Sequence, residues 1–322
     1  MTETEAQRNL KRDDVPVYKF VFTGGPCGGK TTALARVFSY LKDRGFEVIK
    51  CPEAYTALSS NGMSAEFFST EGMALVIQRT VMDTQMTLED GLFRVLKARG
   101  NPGVLLCDRG MMDGSVYLGD EEFAKLMEEQ NTDIVQLRDN RYDAVFHLVT
   151  AADGAEPFYT LENNQVRTET KEQARHVDKL TQRAWVGHPH LYCIDNSTDF
   201  EGKMTRLVDT LSKIVGLPSN LKRRSARFLL SNPPDLSKFP EGVDFQQFEV
   251  EKVYLQKVNN DKNHFTFIRR RTSVDSEGNK LGNVYQLTTA HYTEGDNREL
   301  IEQKRIISKR ECKLEGRTYG VA

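Results

Sequence analysis

A glycine-rich run near the amino end of this 322-residue chain has the residue types that bind phosphate groups. It fits the spacing G-x-x-x-x-G-K-[ST]. With the threonine that follows, the run consists of Gly24, Gly25, Pro26, Cys27, Gly28, Gly29, Lys30, Thr31 and Thr32. Glycines let the backbone turn so that several N–H groups point inward around an anion, and a helix that begins there adds its partial positive charge. The run therefore predicts a nucleotide-phosphate site; the alternative is a glycine-rich turn before a helix.

Two side chains of this run have chemistry of their own. We expect Lys30 to reach the β- and γ-phosphates and to act in catalysis, and Thr31 to offer its hydroxyl to Mg²⁺. The predicted partner is GTP or ATP, and the residues do not decide between the two bases. The predicted cofactor is Mg²⁺.

Three charged residues follow apolar stretches that are predicted to be strands. Asp108 comes directly after Val104–Cys107, where ligands of open α/β sheets bind. Two roles are open for Asp108, which are holding Mg²⁺ through water and acting as general base toward a substrate hydroxyl. Arg109 could contact a phosphate or form a surface ion pair. Glu53 could bind a second substrate or a metal-bound water, or be a solvated loop residue.

Further polar residues could close over the nucleotide. Arg167 and Arg175 lie in or beside a charged helical stretch, where fixed guanidinium groups could neutralise transferring phosphoryl charge as a lid. A solvated helix face is the alternative reading. Asn196, which follows a later apolar stretch, could line the pocket for the base.

The last part of the chain alternates in a way that is typical of antiparallel β-structure. Glu249 and Glu251 share one face of a predicted strand, and Arg269 and Arg271 belong to a basic run further on. Together they could line a polar tunnel that holds phosphates. The alternatives are an ordinary sheet with charged outer faces and, less favoured because no recognition signature occurs, a nucleic-acid surface.

These residues need elements that position them. Short apolar strands alternate with helical patterns between residues 17 and 216, which predicts a parallel five-stranded sheet covered by helices, the P-loop NTPase class. Separate helices are expected over residues 65–82 and 86–99. Residues 1–16 read as a disordered leader, residues 217–245 as a linker rich in proline and serine, and residues 246–322 as a smaller antiparallel β domain.

Composition and charge bound the function classes. Hydrophobic residues make up 39% of the chain and charged residues 28%, which excludes a collagen-like or fully disordered protein. The five cysteines have no C-x-x-C spacing and indicate reduced thiols and a cytoplasmic location. Residues 218–322 carry 19 Lys+Arg and 14 Asp+Glu, whereas the rest has a net charge of −7. The basic end suits anionic phospholipid and peripheral contact with a membrane.

The chain resembles the TRPL translocation defect protein family, a NadR-like P-loop domain followed by a CYTH-like domain. The residues that carry the resemblance are the Gly24–Thr31 run, Asp108 with Arg109, the Arg167 and Arg175 region, the pair Glu249 and Glu251, and Arg269 to Arg271. The resemblance implies GTP binding, binding of acidic phospholipid or phosphoinositide, and a role in membrane-protein trafficking. Too few residues follow Phe245 for an eight-stranded tunnel, so we expect a partial CYTH-like domain.

Three functions are then open. The first is a nucleotide-binding switch with slow hydrolysis, whose second domain binds an anionic phosphate ligand. The second is a kinase for a small, nucleoside-type molecule, because Glu53, Asp108 and the arginines could serve an acceptor hydroxyl. The third is a lipid-binding adaptor in which the glycine-rich run is only structural.

Overall fold

A computed structural model of the chain describes residues 15–159, 170–217, 246–255, 264–275, 277–293 and 300–318, together with Asn232. Most of the predicted leader and linker, and the arginine at position 167, lie outside the described residues.

Five parallel strands form the larger sheet. They are β1 (Val17–Thr23), β2 (Glu47–Cys51), β3 (Gly103–Asp108), β4 (Ala144–Leu148) and β5 (Leu191–Ile194). Their spatial order is β2-β3-β1-β4-β5, and all neighbouring pairs are parallel. This confirms the predicted P-loop NTPase fold class.

Helices cover both faces of this sheet. The main ones are α1 (Lys30–Lys42), α2 (Ala54–Ser59), α3 (Met73–Arg99), α4 (Asp120–Glu129), α5 (Lys171–Ala184) and α6 (Phe200–Val215). Tyr18, Phe20 and Phe22 of the central strand pack with α1 and α6 on one face. Val17 and Val21 pack with residues of α3, α4 and Trp185 on the other. Because apolar side chains point to both faces, the strands read as continuous apolar runs rather than as alternating ones.

The expectation of separate helices over residues 65–82 and 86–99 is wrong. Residues Ala65–Ser69 form a short 3-10 turn, and one helix runs unbroken through Met73–Arg99. Met82, Gln85 and Glu89 are all buried along it, so the inward face continues through the supposed break. Gln85 and Glu89 are polar, and for that reason the apolar pattern lapses there although the helix does not.

A second sheet of four antiparallel strands follows, and one helix comes after it. These are β6 (Phe248–Leu255), β7 (His264–Val274), β8 (Lys280–Tyr292), β9 (Leu300–Ile307) and α7 (Lys309–Thr318). They pair in chain order, and Leu255, Ile268 and Ile307 form a small core that Cys312 of α7 also contacts.

The second sheet packs against the first unit through polar contacts. Asp143 accepts a hydrogen bond from Ile306 N at 2.8 Å. The Gln286 amide donates to His190 Nε2 at 2.9 Å, and His190 Nδ1 donates to the Asp143 carbonyl. Among the helices of the described ranges, none is both long enough and apolar enough to span a bilayer.

Candidate functional site

The glycine-rich run forms the loop between β1 and α1, and it lies against the end of β4. A Cβ atom on Gly24 would come 2.1 Å from the Leu148 carbonyl oxygen, and one on Gly28 would come 2.5 Å from the same atom. Neither position has room for a side chain, and Gly24 has a φ of +130°, which L residues rarely adopt. The glycines are therefore required by close packing as well as by the turn.

Contacts from two other segments hold the same loop. Asp178 of α5 accepts a hydrogen bond from Gly25 N at 2.6 Å. Thr150 donates its hydroxyl to the Pro26 carbonyl, and Ala151 N donates to Cys27 O at 3.3 Å. Sequence reasoning missed Asp178, whose partner is 153 residues away and leaves no local signal.

Lys30 lies at the start of α1 and folds back over the loop. Its ammonium donates to the carbonyl oxygens of Gly24 and Gly25, both at 3.0 Å. Burial, together with the nearby Arg109 guanidinium, lowers the pKa of Lys30 to about 7, although Asp108 and Glu53 act in the opposite direction. An anion in the loop would restore the charge of this lysine.

The hydroxyls of Thr31 and Thr32 are in the first turn of α1, where both residues are exposed. In the described ranges, His, Cys, Asp and Glu side chains nowhere form a group of three or more that could hold a metal. Mg²⁺ is usually held by one or two protein groups together with phosphate oxygens and water rather than by a protein cage. A hydroxyl such as that of Thr31 and a carboxylate such as that of Asp108, which interacts with the neighbouring Lys30, are groups of that kind.

A charged cluster faces the loop from the ends of β2 and β3. Arg109 donates from Nη1 to Gly24 O at 2.8 Å, and its Nε lies 3.4 Å from Glu53. Thr56 donates its hydroxyl to the other oxygen of Glu53 at 2.7 Å. Burial raises the pKa of Asp108, while the Lys30 charge opposes this shift. The cluster therefore brings Lys30, Glu53, Asp108 and Arg109 together, as the positions after the strands predict.

The backbone at Arg109 has an unusual conformation, and hydrogen bonds in the next turn support it. Its φ is +69°, a conformation that non-glycine residues rarely adopt and that occurs mainly where the surroundings impose it. Asp113 holds the next turn by accepting from Gly110 N at 3.0 Å and from the Trp185 indole at 2.9 Å. It also accepts from the Thr23 hydroxyl at 2.6 Å. Sequence reasoning missed Asp113; its place three residues after Gly110 is a weak capping signal.

A cavity of about 320 Å³ opens next to Glu53 and Arg109. Its walls are mostly apolar or aromatic, and the ring-bearing residues are Tyr55, Phe68, Tyr117 and Phe123. The Gln78 side chain also lines it and is only 6% exposed, with no hydrogen bond to the described part of the chain. The amide of Gln85 in the same wall is by contrast already bonded, to Ala54 N and to Glu89. Gln78 was missed because it is one polar residue on a helix face that otherwise reads as core.

The predicted lid and base residues have different surroundings. Arg167 is outside the described residues, and Arg175 pairs with Glu172 at 3.2 Å within the first turns of α5. The Asn196 amide donates to the carbonyls of Thr150 and Asp153 and accepts from Lys203. The side chain of Asn196 is therefore used to hold the loop after β4.

The four charged residues of the second sheet do not share a face. Glu251 is directly opposite Arg270, and Arg269 is opposite Lys252, so Glu249 and Glu251 point away from Arg269 and Arg271. Glu249 pairs with Lys280 at 2.9 Å and Glu251 with Arg270 at 2.6 Å. Arg271 faces the first unit, 3.3 Å from Asp139. The common acidic and basic lining expected from the sequence is not formed.

Comparisons with known proteins bear on the first unit. The model of a family described as AAA domain matches residues 19–203, which is more than half of the chain. No curated protein sequence matches. Among solved structures, 142 chains match, including the crystal structure of thymidylate kinase from Ehrlichia chaffeensis. That protein is 16% identical, with 61% of this chain and 98% of that chain covered and a TM-score of 0.40. The family match contains the loop, the charged cluster and the cavity.

Proposed function

This chain belongs to the AAA domain family, and we propose that its P-loop unit transfers the γ-phosphoryl group of a nucleoside triphosphate to a hydroxyl of a small, ring-containing acceptor. One observation carries the proposal. The cavity next to the phosphate loop has a carboxylate, Glu53, at the end nearest the loop and aromatic side chains beyond it. A protein that only binds or hydrolyses nucleotide needs no such cavity.

The donor nucleotide would be held by the loop amides and by Lys30. Thr31 and Asp108 would hold Mg²⁺, which when bound neutralises charge on the β- and γ-phosphate oxygens. Arg109, which bridges Gly24 and Glu53, would fix the carboxylate beside the transferred group. Positioning and charge neutralisation of this kind are most of what phosphoryl transfer requires.

Glu53 is the proposed general base, because it lines the cavity whereas Asp108 does not. It would take the proton of the acceptor hydroxyl as that oxygen bonds to the γ-phosphorus. The bond between the γ-phosphorus and the bridging oxygen breaks, and the nucleoside diphosphate leaves with its electron pair.

The walls of the cavity indicate the acceptor class. Aromatic side chains favour a planar ring, and an amide in the cavity wall, such as that of Gln78, favours a ring edge with a donor next to an acceptor. A volume of about 320 Å³ is at the small end of ligand sites. These features support a nucleoside-type acceptor.

The test is release of nucleoside diphosphate from ATP and from GTP, with and without a panel of nucleosides. We expect at least one nucleoside to raise turnover and to appear as its monophosphate. Glu53→Gln should lower kcat by about 100-fold or more while nucleotide affinity is kept, and Lys30→Ala should weaken nucleotide binding. The matched control is Glu71→Gln, an exposed residue outside the cavity. Turnover that no nucleoside changes and that Glu53→Gln leaves intact would contradict the proposal.

A second candidate concerns the other sheet, where the resemblance to the translocation defect family implies a phospholipid partner and a GTP-dependent switch. One observation favours an anionic ligand there: the Nε of the buried Arg271 has no hydrogen-bond partner in the described ranges. Flotation with vesicles that contain phosphatidic acid, with and without GTP, tests this candidate. We expect Arg269→Ala, beside Arg271 on the same face, to reduce binding. Binding that this variant leaves unchanged counts against the candidate.

A further inference from the structure

A second cavity, of about 560 Å³, lies between the two sheets. It is at the amino ends of the parallel strands, on the side of that sheet opposite the phosphate loop. The first unit contributes Lys19 of β1 and Phe93 and Lys97 of α3, and the second contributes Tyr285, Arg305 and Lys309. Its volume is in the range of small-molecule sites, and neither the proposed transfer reaction nor the family match accounts for it.

The cavity is lined by five cationic side chains and two carboxylates. Two of the cations are neutralised by carboxylates outside the lining, because Lys19 and Arg141 both pair with Glu89 and Asp90. In the described ranges, the ion pair of Arg305 is a long one, with Glu311 at 3.8 Å. Lys97 and Lys309 form no ion pair within the described ranges. The positive charge that Glu89 and Asp90 do not neutralise is therefore on Lys97, Arg305 and Lys309.

The two carboxylates of the lining are occupied by protein groups. Asp143 accepts from Lys19 N at 2.9 Å and from Ile306 N at 2.8 Å, and burial raises its pKa to about 6. Glu311 accepts from Ser308 N at 2.7 Å and receives Arg305. Against the effect of burial, hydrogen bonds from Ser308 and the charges of Arg305 and Lys97 lower the pKa of Glu311, so Arg305 and Lys97 share this one carboxylate. The aromatic walls at Phe93 and Tyr285 offer contact to an apolar group.

We propose that this interface cavity binds a small phosphomonoester whose phosphate is held by Lys97, Arg305 and Lys309. Guanidinium and ammonium groups around one space match phosphate oxygens. Because Lys97 belongs to the P-loop unit while Arg305 and Lys309 belong to the second, the ligand cross-links the two units and stabilises their docking. The proposal is independent of the transfer reaction.

The test is calorimetric titration of phenyl phosphate into the full chain carrying Lys30→Ala, so that the phosphate loop contributes little. We expect binding that the added pair Lys97→Ala and Lys309→Ala weakens by about tenfold or more. The matched control is the pair Lys42→Ala and Lys125→Ala, which removes the same charge from exposed residues outside the cavity. Melting temperatures of both double variants verify that each is folded.

A second arm replaces phenyl phosphate with vesicles that contain phosphatidic acid, the same phosphate chemistry on a lipid. Weakening that is specific to the cavity pair supports the site in either arm; the first arm then indicates a soluble ligand and the second a headgroup. Absence of binding in both arms, or equal weakening by the control pair, overturns the proposal. Because the readout is binding, failure of the transfer reaction would not affect it.

Discussion

The phosphate loop and the interface cavity lie at opposite edges of one parallel sheet, and they are built by different means. At the carboxyl edge, backbone packing shapes the phosphate loop, since Gly24 and Gly28 lie directly on the Leu148 carbonyl, and Lys30 and Arg109 supply positive charge beside it. At the amino edge, side chains from both units supply the charges, and ion pairs with the buried Glu89 hold two of them, Lys19 and Arg141, in place. A site built from backbone can be recognised in the sequence by its glycine spacing. A site built from side chains that are far apart in the chain cannot.

One buried residue connects the two edges. Glu89 of α3 is fully buried, accepts from Gln85 at 3.0 Å and from Arg141 at 2.7 Å, and lies 3.6 Å from the Lys19 ammonium. Gln85 lines the acceptor cavity and Lys19 and Arg141 line the interface cavity. The Glu89 carboxylate therefore contacts lining residues of both cavities.

The largest expected effect is on stability and follows from Glu89→Gln. The amide keeps the size of the side chain but leaves Lys19 and Arg141 without their buried counter-charge, so we expect a loss of about 3 kcal/mol in the free energy of unfolding. The measurement is urea denaturation. The control is Asp90→Asn, which removes a half-exposed partner of the same two cations and should cost about 1 kcal/mol or less. Equal losses in the two variants would show that burial of Glu89 is not what matters.

The sequence predicted the larger sheet and the loop because both depend on local patterns. Apolar runs separated by helical periods define five strands, and the spacing from Gly24 to Thr31 defines the turn. Asp108 and Glu53 were found because the carboxyl ends of parallel strands meet at one edge. These signals need no knowledge of distant partners.

The remaining site residues could not be predicted, for two physical reasons. The roles of Asp113 and Glu89 are set by partners far along the chain, and that of Gln78 by a cavity that distant segments form, so each reads locally as surface. The faces of β6 and β7 depend on strand register, and a shift by one residue moves every side chain to the other face. For that reason Glu251 and Arg269 were expected together and are found on opposite faces.

An effect of intermediate size, also on stability, tests the claim that the carboxyl edge is built by backbone packing. Gly28→Ala should lower the free energy of unfolding by about 1–3 kcal/mol, because its Cβ would lie 2.5 Å from a backbone oxygen. Gly91→Ala is the matched control: it lies inside α3 with no atom within 4 Å of the added Cβ, and should raise stability by about 0.5–1 kcal/mol. Thermal unfolding of the two variants measures the contrast. A Gly28→Ala protein as stable as the parent would mean that the loop can move off β4.

The smallest expected effect is a pH dependence of triphosphate binding at the carboxyl edge, which arises from Lys30. The pKa of Lys30 is about 7 in the unliganded protein, whereas a bound triphosphate would keep the ammonium charged. Affinity should then be insensitive to this group below pH 7 and fall by up to about tenfold per pH unit above it, with proton uptake on binding. The sign for folding is opposite: the unfolded chain holds the Lys30 proton up to its ordinary pKa, so the unliganded protein gains stability as pH rises from about 7 to 10.

Calorimetry with a non-hydrolysable triphosphate from pH 6 to 9 measures the pH dependence of triphosphate affinity. Lys30→Arg is the control, because a guanidinium stays charged throughout and should give a flat profile; a parent profile equally flat would mean that Lys30 is already charged without its ligand.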